Sequence, residues 1–144
     1  MIRMRLSEHG LAAPAGLQAA LEASWDRSTA YLGAFETSNP ALGQCYPTAR
    51  VVQSFFPRFE IVRGTVDTGS SLEAHFWNVD PRADPPEHVD LTWRQFPPSS
   101  KIVEHKLLDR DNLGDSPPTV LRCRLLLERV LAQLQSVSLG AGGR

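Results

Sequence analysis

The middle of the chain limits the fold most, because three short segments there are rich in β-branched and aromatic residues. They span residues 59–66, 72–79 and 88–93. The stretches between them, Asp-Thr-Gly-Ser-Ser at 67–71 and Asp-Pro-Arg-Ala-Asp-Pro-Pro at 80–86, have the composition of turns. Runs of this kind predict the strands of an antiparallel meander.

The predicted strands place polar side chains on particular faces. Alternate residues of a strand share a face, so His75 is expected beside Trp77 and Val79 on the second strand. On the third strand Asp90 is expected to share a face with Thr92.

Segments with helical periodicity flank this region. Residues 14–34 carry apolar side chains at roughly helical intervals and predict a helix with a break near Asp26. Residues 117–137 predict a closing helix with Ser116 as its N-cap and the apolar positions Leu121, Leu125, Val130, Leu131 and Leu134. The expected fold is α+β, with N-terminal helices packed on an antiparallel sheet and a C-terminal helix. One domain is expected over residues 1–144, flexible at 1–10 and 138–144.

A third predicted helix follows Cys45. Pro47 suits a first helical turn, Val51, Val52, Phe55 and Phe56 follow on one face, and Pro57 ends the helix. Cys45 is therefore expected at a helix N-terminus, where free N–H groups and the positive end of the dipole favour a thiolate. Its position makes Cys45 a candidate nucleophile.

The distribution of charged and apolar residues argues against nucleic acid and membranes as partners. Fifteen basic and 16 acidic residues are scattered along the chain, whereas nucleic-acid binding needs a concentrated positive face. No apolar stretch reaches the roughly 20 residues of a membrane span, and the first nine residues lack the apolar core of a signal peptide, so a cytoplasmic location is expected.

Metal and cofactor binding are not predicted either. Cys45 and Cys123 form no Cys-x-x-Cys pair, and the histidines show no zinc-ligand spacing. A disulfide is disfavoured because the cytosol keeps thiols reduced. The oligomeric state stays open.

Three short motifs carry a resemblance to known enzymes. Gly43-Gln44-Cys45, the His-x-Trp-Asn string at 75–78 and Asp90-Leu91-Thr92 resemble the active-site motifs of transglutaminase-like, papain-like cysteine enzymes, in the same order along the chain. Tyr46 stands where those enzymes usually have Trp, and Leu91 where they have Pro. The longer strings 45–53 and 90–96 also resemble the small bacterial YunG-like family, a resemblance that covers most of the chain and implies no particular activity.

The first resemblance implies a Cys-His-Asp triad. Cys45 would attack an amide carbonyl, His75 would protonate the leaving group and Asp90 would orient the imidazole. The backbone N–H of Cys45, with Gln44 or the Trp25 indole, would bind the oxyanion. The expected function is that of a cysteine hydrolase or acyltransferase (peptidase, amidase, deamidase or transglutaminase-like) that forms a thioacyl intermediate on a small-molecule, peptide or protein amide and needs no cofactor.

Other interpretations of the same residues stay open. The chain is alternatively a non-catalytic module that binds a peptide or small molecule on the same fold, and metal binding through Cys45, His75 and His88 is a third, weaker hypothesis. Asn78 either orients the site or forms a turn. The remaining candidates are expected to be structural, with Cys123 in the core, His88 and His105 solvated, and Trp77, Trp93, Phe55 and Phe56 in the core.

Overall fold

A computed structural model of the protein describes residues 16–142, with side chains up to residue 136. The helices are α1 (Leu17–Ser24), α2 (Cys45–Phe55) and α3 (Pro117–Gly142), and the strands are β1 (Glu60–Asp67), β2 (Leu72–Asp80), β3 (Glu87–Val89) and β4 (Lys101–Leu107). Short 3-10 turns cover Tyr31–Gly33 and Trp93–Gln95. The protein is thus α+β, with a C-terminal helix as expected.

The four strands form one antiparallel sheet in the order β3-β2-β1-β4. The first three make the predicted meander, and β4 returns to pair with β1 on the far side. The sheet curls strongly. Its two edge strands approach each other so closely that the ring centroids of His88 on β3 and His105 on β4 are only 5.9 Å apart. None of the helices in the described part of the chain is long and apolar enough to cross a membrane.

The main hydrophobic core lies between the helices and one side of the sheet. All three helices contribute fully buried apolar residues, among them Leu21 of α1, Val52 of α2 and Leu126 of α3. A second, smaller cluster of Val62, Trp77, Val79 and Ile102 fills the curl of the sheet. The indole of Trp77 lies against Gly64 of β1 so closely that a methyl group there would collide with the ring.

Two of the predicted helices differ from those observed. Residues 14–34 do not form one helix, since α1 ends at Ser24 and Trp25 is extended. Asp26 explains the break, because its Oδ1 accepts a hydrogen bond from the N–H of Ser28, a turn that competes with helix. The segment before Gly16 lies outside the described residues.

In α3 the predicted apolar face is correct in part, because Val130 is buried and Leu134 packs against the core as expected, whereas two other predicted positions are exposed. Leu126 and Val130 are fully buried, whereas Leu121 and Leu131 are 61% and 49% exposed. The N-terminus is as predicted, since the Ser116 hydroxyl accepts from the N–H of Thr119. The helix continues past Val137 to Gly142, because no proline interrupts it and a glycine costs a helix only about 1 kcal/mol. Of the two ends expected to be flexible, residues 1–10 and 143–144 lie outside the described residues.

The sheet differs from the prediction at two places. Strand β3 ends at Val89, so Asp90 and Thr92 lie in the turn after it rather than within a strand. Strand β4 is not predicted, since six of its seven residues are exposed and the pattern therefore lacks the alternation of a half-buried strand.

Candidate active site

Cys45 is the first residue of α2, as predicted, and is partly exposed. No described residue accepts a hydrogen bond from its backbone N–H. The side chain therefore lies at the positive end of an 11-residue helix, beside a free backbone donor.

The two residues before Cys45 hold the helix start in place. Gly43 has φ +78°, and a Cβ there would lie 3.1 to 3.2 Å from Ala30, Ala34 and Tyr31, so both backbone conformation and space favour glycine. The amide of Gln44 is fully buried: its oxygen accepts from the Thr29 hydroxyl at 2.7 Å, and its nitrogen donates to the Asp26 carbonyl at 2.9 Å. Gln44 thus pins the loop that delivers Cys45.

His75 and Asp90 form a buried pair. The His75 Nε2–H donates to Asp90 Oδ2 at 2.7 Å, and the two side chains are 0% and 1% exposed. The other carboxylate oxygen, Oδ1, accepts from the backbone N–H of Thr92 at 3.1 Å, with the Thr92 hydroxyl at 3.4 Å. The spacing of Asp90 and Thr92 is therefore that of an Asx turn, which aims the carboxylate at the imidazole.

The environment of His75 favours its protonated form. Burial disfavours the imidazolium, but the hydrogen bond with Asp90, and after it the interaction with the Cys45 thiol, outweigh burial and raise the pKa of His75 to about 9. Nδ1 is buried and has no hydrogen-bond partner of ordinary geometry among the described residues. The thiol is thus near enough to act on the ring without closing a well-directed hydrogen bond to Nδ1.

Aromatic rings enclose the imidazole. Trp77 stacks on His75 at a centroid distance of 5.6 Å, and Phe96 and Trp93 meet it edge to face at 4.8 and 5.9 Å. Such packing restricts rotation of the ring and excludes water from the pair with Asp90.

The two side chains predicted as oxyanion donors each donate one hydrogen bond to a structural partner. The single N–H of the Trp25 indole donates to the Thr48 hydroxyl at 3.0 Å, and Gln44 donates to the Asp26 carbonyl. Both contacts brace the loop and α2 against each other. The donors left for an oxyanion are the backbone N–H of Cys45 and the second N–H of the Gln44 amide.

Other candidate residues have structural partners. The Asn78 amide donates to the Ala49 carbonyl at 3.0 Å, which ties β2 to α2 and excludes the turn-forming role. His88 Nδ1 accepts from the Trp77 indole at 2.9 Å and is half-buried, while His105 is exposed. Trp77, Trp93 and Phe56 are buried core residues, and Phe55 packs against the core partly exposed.

Cys123 is only partly buried, and burial raises the pKa of its thiol to about 11. Among the described residues, no three His, Cys, Asp or Glu side chains cluster as metal ligands.

Sequence reasoning missed a second polar group beside the site. Asp115, in the loop before α3, accepts short hydrogen bonds from the Tyr46 hydroxyl and the Arg50 guanidinium. The four-residue spacing of Tyr46 and Arg50 on α2 would have placed them on one face, but nothing in the sequence pointed to Asp115 as their partner.

Beside this group is an open pocket of about 420 Å³ that neither Cys45 nor His75 lines. Tyr46 and Asp115 form part of its wall, and Arg50 lies behind them.

Fold and site together define the class: a small α+β domain in which a cysteine at a helix N-terminus lies beside a buried His–Asp pair. Comparison with protein families matches the model described as YunG protein over residues 13–135. The chain therefore belongs to the YunG family. Neither the curated proteins nor the solved structures contain a match.

Proposed function

We propose that this protein is a cysteine-dependent hydrolase or acyltransferase that acts on an amide through a thioacyl intermediate. The observation that carries the proposal is the fully buried His75–Asp90 pair, to which the Cys45 thiol lies close enough to help raise the pKa of the imidazole. A buried ion pair costs desolvation energy and is weak support for stability, so a task at this position accounts for it better than packing does.

The proposed reaction assigns each residue one step. The Cys45 sulfur attacks the carbonyl carbon, and the oxygen gains negative charge near the free N–H of Cys45. The carbon–nitrogen bond breaks, and the imidazolium Nδ1–H of His75 supplies the proton that the departing amine takes. Water or a second amine, deprotonated by the same imidazole, then attacks the thioester and releases the thiol.

Asp90 has an orienting role in this scheme. Its hydrogen bond to Nε2 directs Nδ1 towards the thiol and stabilises the imidazolium, and the pKa of His75, raised to about 9, keeps that form populated at neutral pH.

We further propose that helix α2 and strands β2 and β3 are a reduced form of the transglutaminase/papain-like core. The order of Cys45, His75 and Asp90 along the chain supports this, as does the position of the cysteine at a helix start facing antiparallel strands.

The test is acylation of the intact protein by an activated aryl ester, followed by intact-mass measurement and peptide mapping. We expect one acyl group per chain, on Cys45, and steady release of the acid afterwards. Cys45→Ala should take up none, while Cys123→Ala should behave as wild type.

An adduct shared equally by Cys45 and Cys123, or none at either, would contradict the enzyme and leave the binding module of the same fold as the better account. A stable adduct at Cys45 without turnover in water, discharged by added amines, would identify an acyltransferase.

A further inference from the structure

The pocket beside Cys45 has walls of two kinds. Its apolar part comes from the loop before α2, the first turn of α2, β2 and the segment after β4, namely Tyr31, Tyr46, Phe76, Leu108 and Leu113. A volume of about 420 Å³ suits a small organic group, since small-molecule sites in proteins usually measure about 300 to 1,000 Å³.

The pocket adjoins both elements that carry the candidate triad. Tyr46 directly follows Cys45 at the start of α2, whereas Phe76, the neighbour of His75 in β2, lies on the opposite face of that strand from the imidazole. Tyr31 is held at the same place, because its backbone N–H donates to the Gly43 carbonyl at 2.9 Å. The two rings of Tyr46 and Phe76 meet edge to face at 4.9 Å and form the part of the wall that belongs to α2 and β2.

The side chains that line the pocket carry an excess of positive charge. Asp115 is neutralised by Arg50. Arg63 and Arg122 also line the pocket, and neither makes an ion pair with any described residue. Arg122 lies over the Tyr31 ring at 5.5 Å and donates to the Thr119 hydroxyl, which leaves further guanidinium N–H groups free.

Lys106 is the cross-strand partner of Arg63 on β4 and adds a third positive charge to this edge. An apolar pocket with uncompensated cations at its rim suits a group that is both apolar and anionic.

We propose that this pocket binds the part of the amide substrate next to the scissile bond, and that this part is an aromatic or branched apolar group bearing a carboxylate. An N-acylated aromatic amino acid, or the C-terminal aromatic residue of a peptide, has this chemistry. Its ring lies among Tyr31, Tyr46 and Phe76, and Arg63 and Arg122 bind the carboxylate.

As a reaction, this inference rests on the proposed function: the Cys45 sulfur–carbon bond forms, the amide carbon–nitrogen bond breaks, and the amino acid leaves with a proton from His75. Water then converts the thioester to the acid and restores the thiol. No other reactant is required.

The experiment measures binding separately from chemistry. Two probes that differ only in charge, N-acetyl-L-phenylalanine and its C-terminal amide, are titrated calorimetrically into the Cys45→Ala protein. We expect the carboxylate to bind at least about tenfold more tightly than the neutral probe, the effect of one charge-assisted hydrogen-bonded contact.

In Cys45→Ala carrying Arg63→Gln and Arg122→Gln, the preference should fall below about threefold. Arg82→Gln, at an exposed arginine outside the pocket, is the matched control and should retain the full preference. Leu113→Glu, in a half-buried loop position of the apolar wall, provides a second variant that should weaken both probes, and the acid more than the neutral one because the new carboxylate repels it.

Equal affinity for the two probes in Cys45→Ala, or a preference that survives both arginine changes, would overturn the inference. Selective binding in Cys45→Ala without acylation of wild-type Cys45 would overturn the proposed function and leave the pocket assignment standing.

Discussion

The two cysteines lie in regions with similar charges but different surroundings. Cys45 begins α2, beside His75 and its partner Asp90, and Cys123 lies in α3, where Arg50 and Asp115 act on it. Burial raises the pKa of Cys123 to about 11, although Arg50 works in the opposite direction. A nearby cation and carboxylate are thus insufficient to activate a thiol.

The regions differ in what the cation can do. An imidazolium exchanges protons near neutral pH, whereas a guanidinium never does, and only Cys45 also lies at a helix N-terminus.

The largest effect is expected from Asp90→Asn. The amide cannot stabilise the imidazolium and favours the wrong tautomer, so turnover of an aryl ester should fall by up to about 10⁴-fold while the circular dichroism spectrum is unchanged. Asp111→Asn, at an exposed carboxylate, is the matched control and should retain full activity. Turnover near the wild-type rate in Asp90→Asn would remove Asp90 from the mechanism.

Alkylation should separate the two cysteines by about two orders of magnitude. With a pKa of about 11, Cys123 is almost wholly protonated at pH 7, and only the thiolate reacts. Iodoacetamide followed by peptide mapping should therefore modify Cys45 at least about 100-fold faster than Cys123 at pH 7.

The dependence on His75 provides the control for that measurement. In His75→Gln the rate at Cys45 at pH 6 should fall sharply, because only the helix dipole remains to favour the thiolate, and the rate at Cys123 should not change. Equal rates at the two cysteines in the wild type would mean that their surroundings are equivalent.

Much of the Cys45 region was predictable from the sequence. Pro47 lies in the first turn of α2 and Pro57 follows its end, as predicted. The motifs also predicted that His75 and Asp90 would meet. Gly43 and Thr92 belong to the motifs because they have local backbone roles. The catalytic roles remain predictions. The motifs did not indicate that Trp25 and Gln44 donate hydrogen bonds that brace the loop. Their partners lie 23 and 18 residues away along the chain, and contacts at such separations produce no periodic sequence pattern.

The Cys123 region was harder to predict. Its partners come from α2 and from the loop that ends at Ser116, and the apolar positions of α3 are numerous enough to permit several core faces. Strand β4, which closes the sheet, was missed because a mostly exposed edge strand lacks the alternating pattern that identifies one.

The pH dependence of stability should show a separate window for each region. The pKa of His75 is raised from 6.5 to about 9, so its contribution is complete below about pH 6.5 and is lost as the pH rises to about 9. Over that window the free energy of unfolding should fall by about 3 kcal/mol in the wild type and much less in Asp90→Asn.

The Cys123 thiol, raised from 9.0 to about 11, should cost further stability between those values, because the unfolded thiol ionises first. Cys123→Ser should remove that second loss and keep the first. Urea unfolding at pH 6, 7.5, 9 and 10 measures both losses. If Asp90→Asn and Cys123→Ser both had the pH profile of the wild type, neither group would be linked to folding.

The smallest effect is expected from Asn78→Ala, which loosens the connection between the helix that carries Cys45 and the strand that carries His75. The Asn78 amide donates to the Ala49 carbonyl across this contact, and both residues are buried. The Ala49 carbonyl belongs to helix α2 and is not left without other partners when the Asn78 amide is removed. Loss of the hydrogen bond should therefore cost only about 1 to 2 kcal/mol of unfolding free energy. The helix start should then sample more positions relative to the imidazole, so alkylation of Cys45 should slow about threefold while Cys123, which lies outside this contact, reacts as before. Asn112→Ala, at an exposed turn, is the matched control and should change neither rate. Equal slowing at both cysteines would instead indicate a general loosening of the core, whereas slowing at Cys45 alone would show that the reactivity of its thiol depends on how firmly α2 is held to β2.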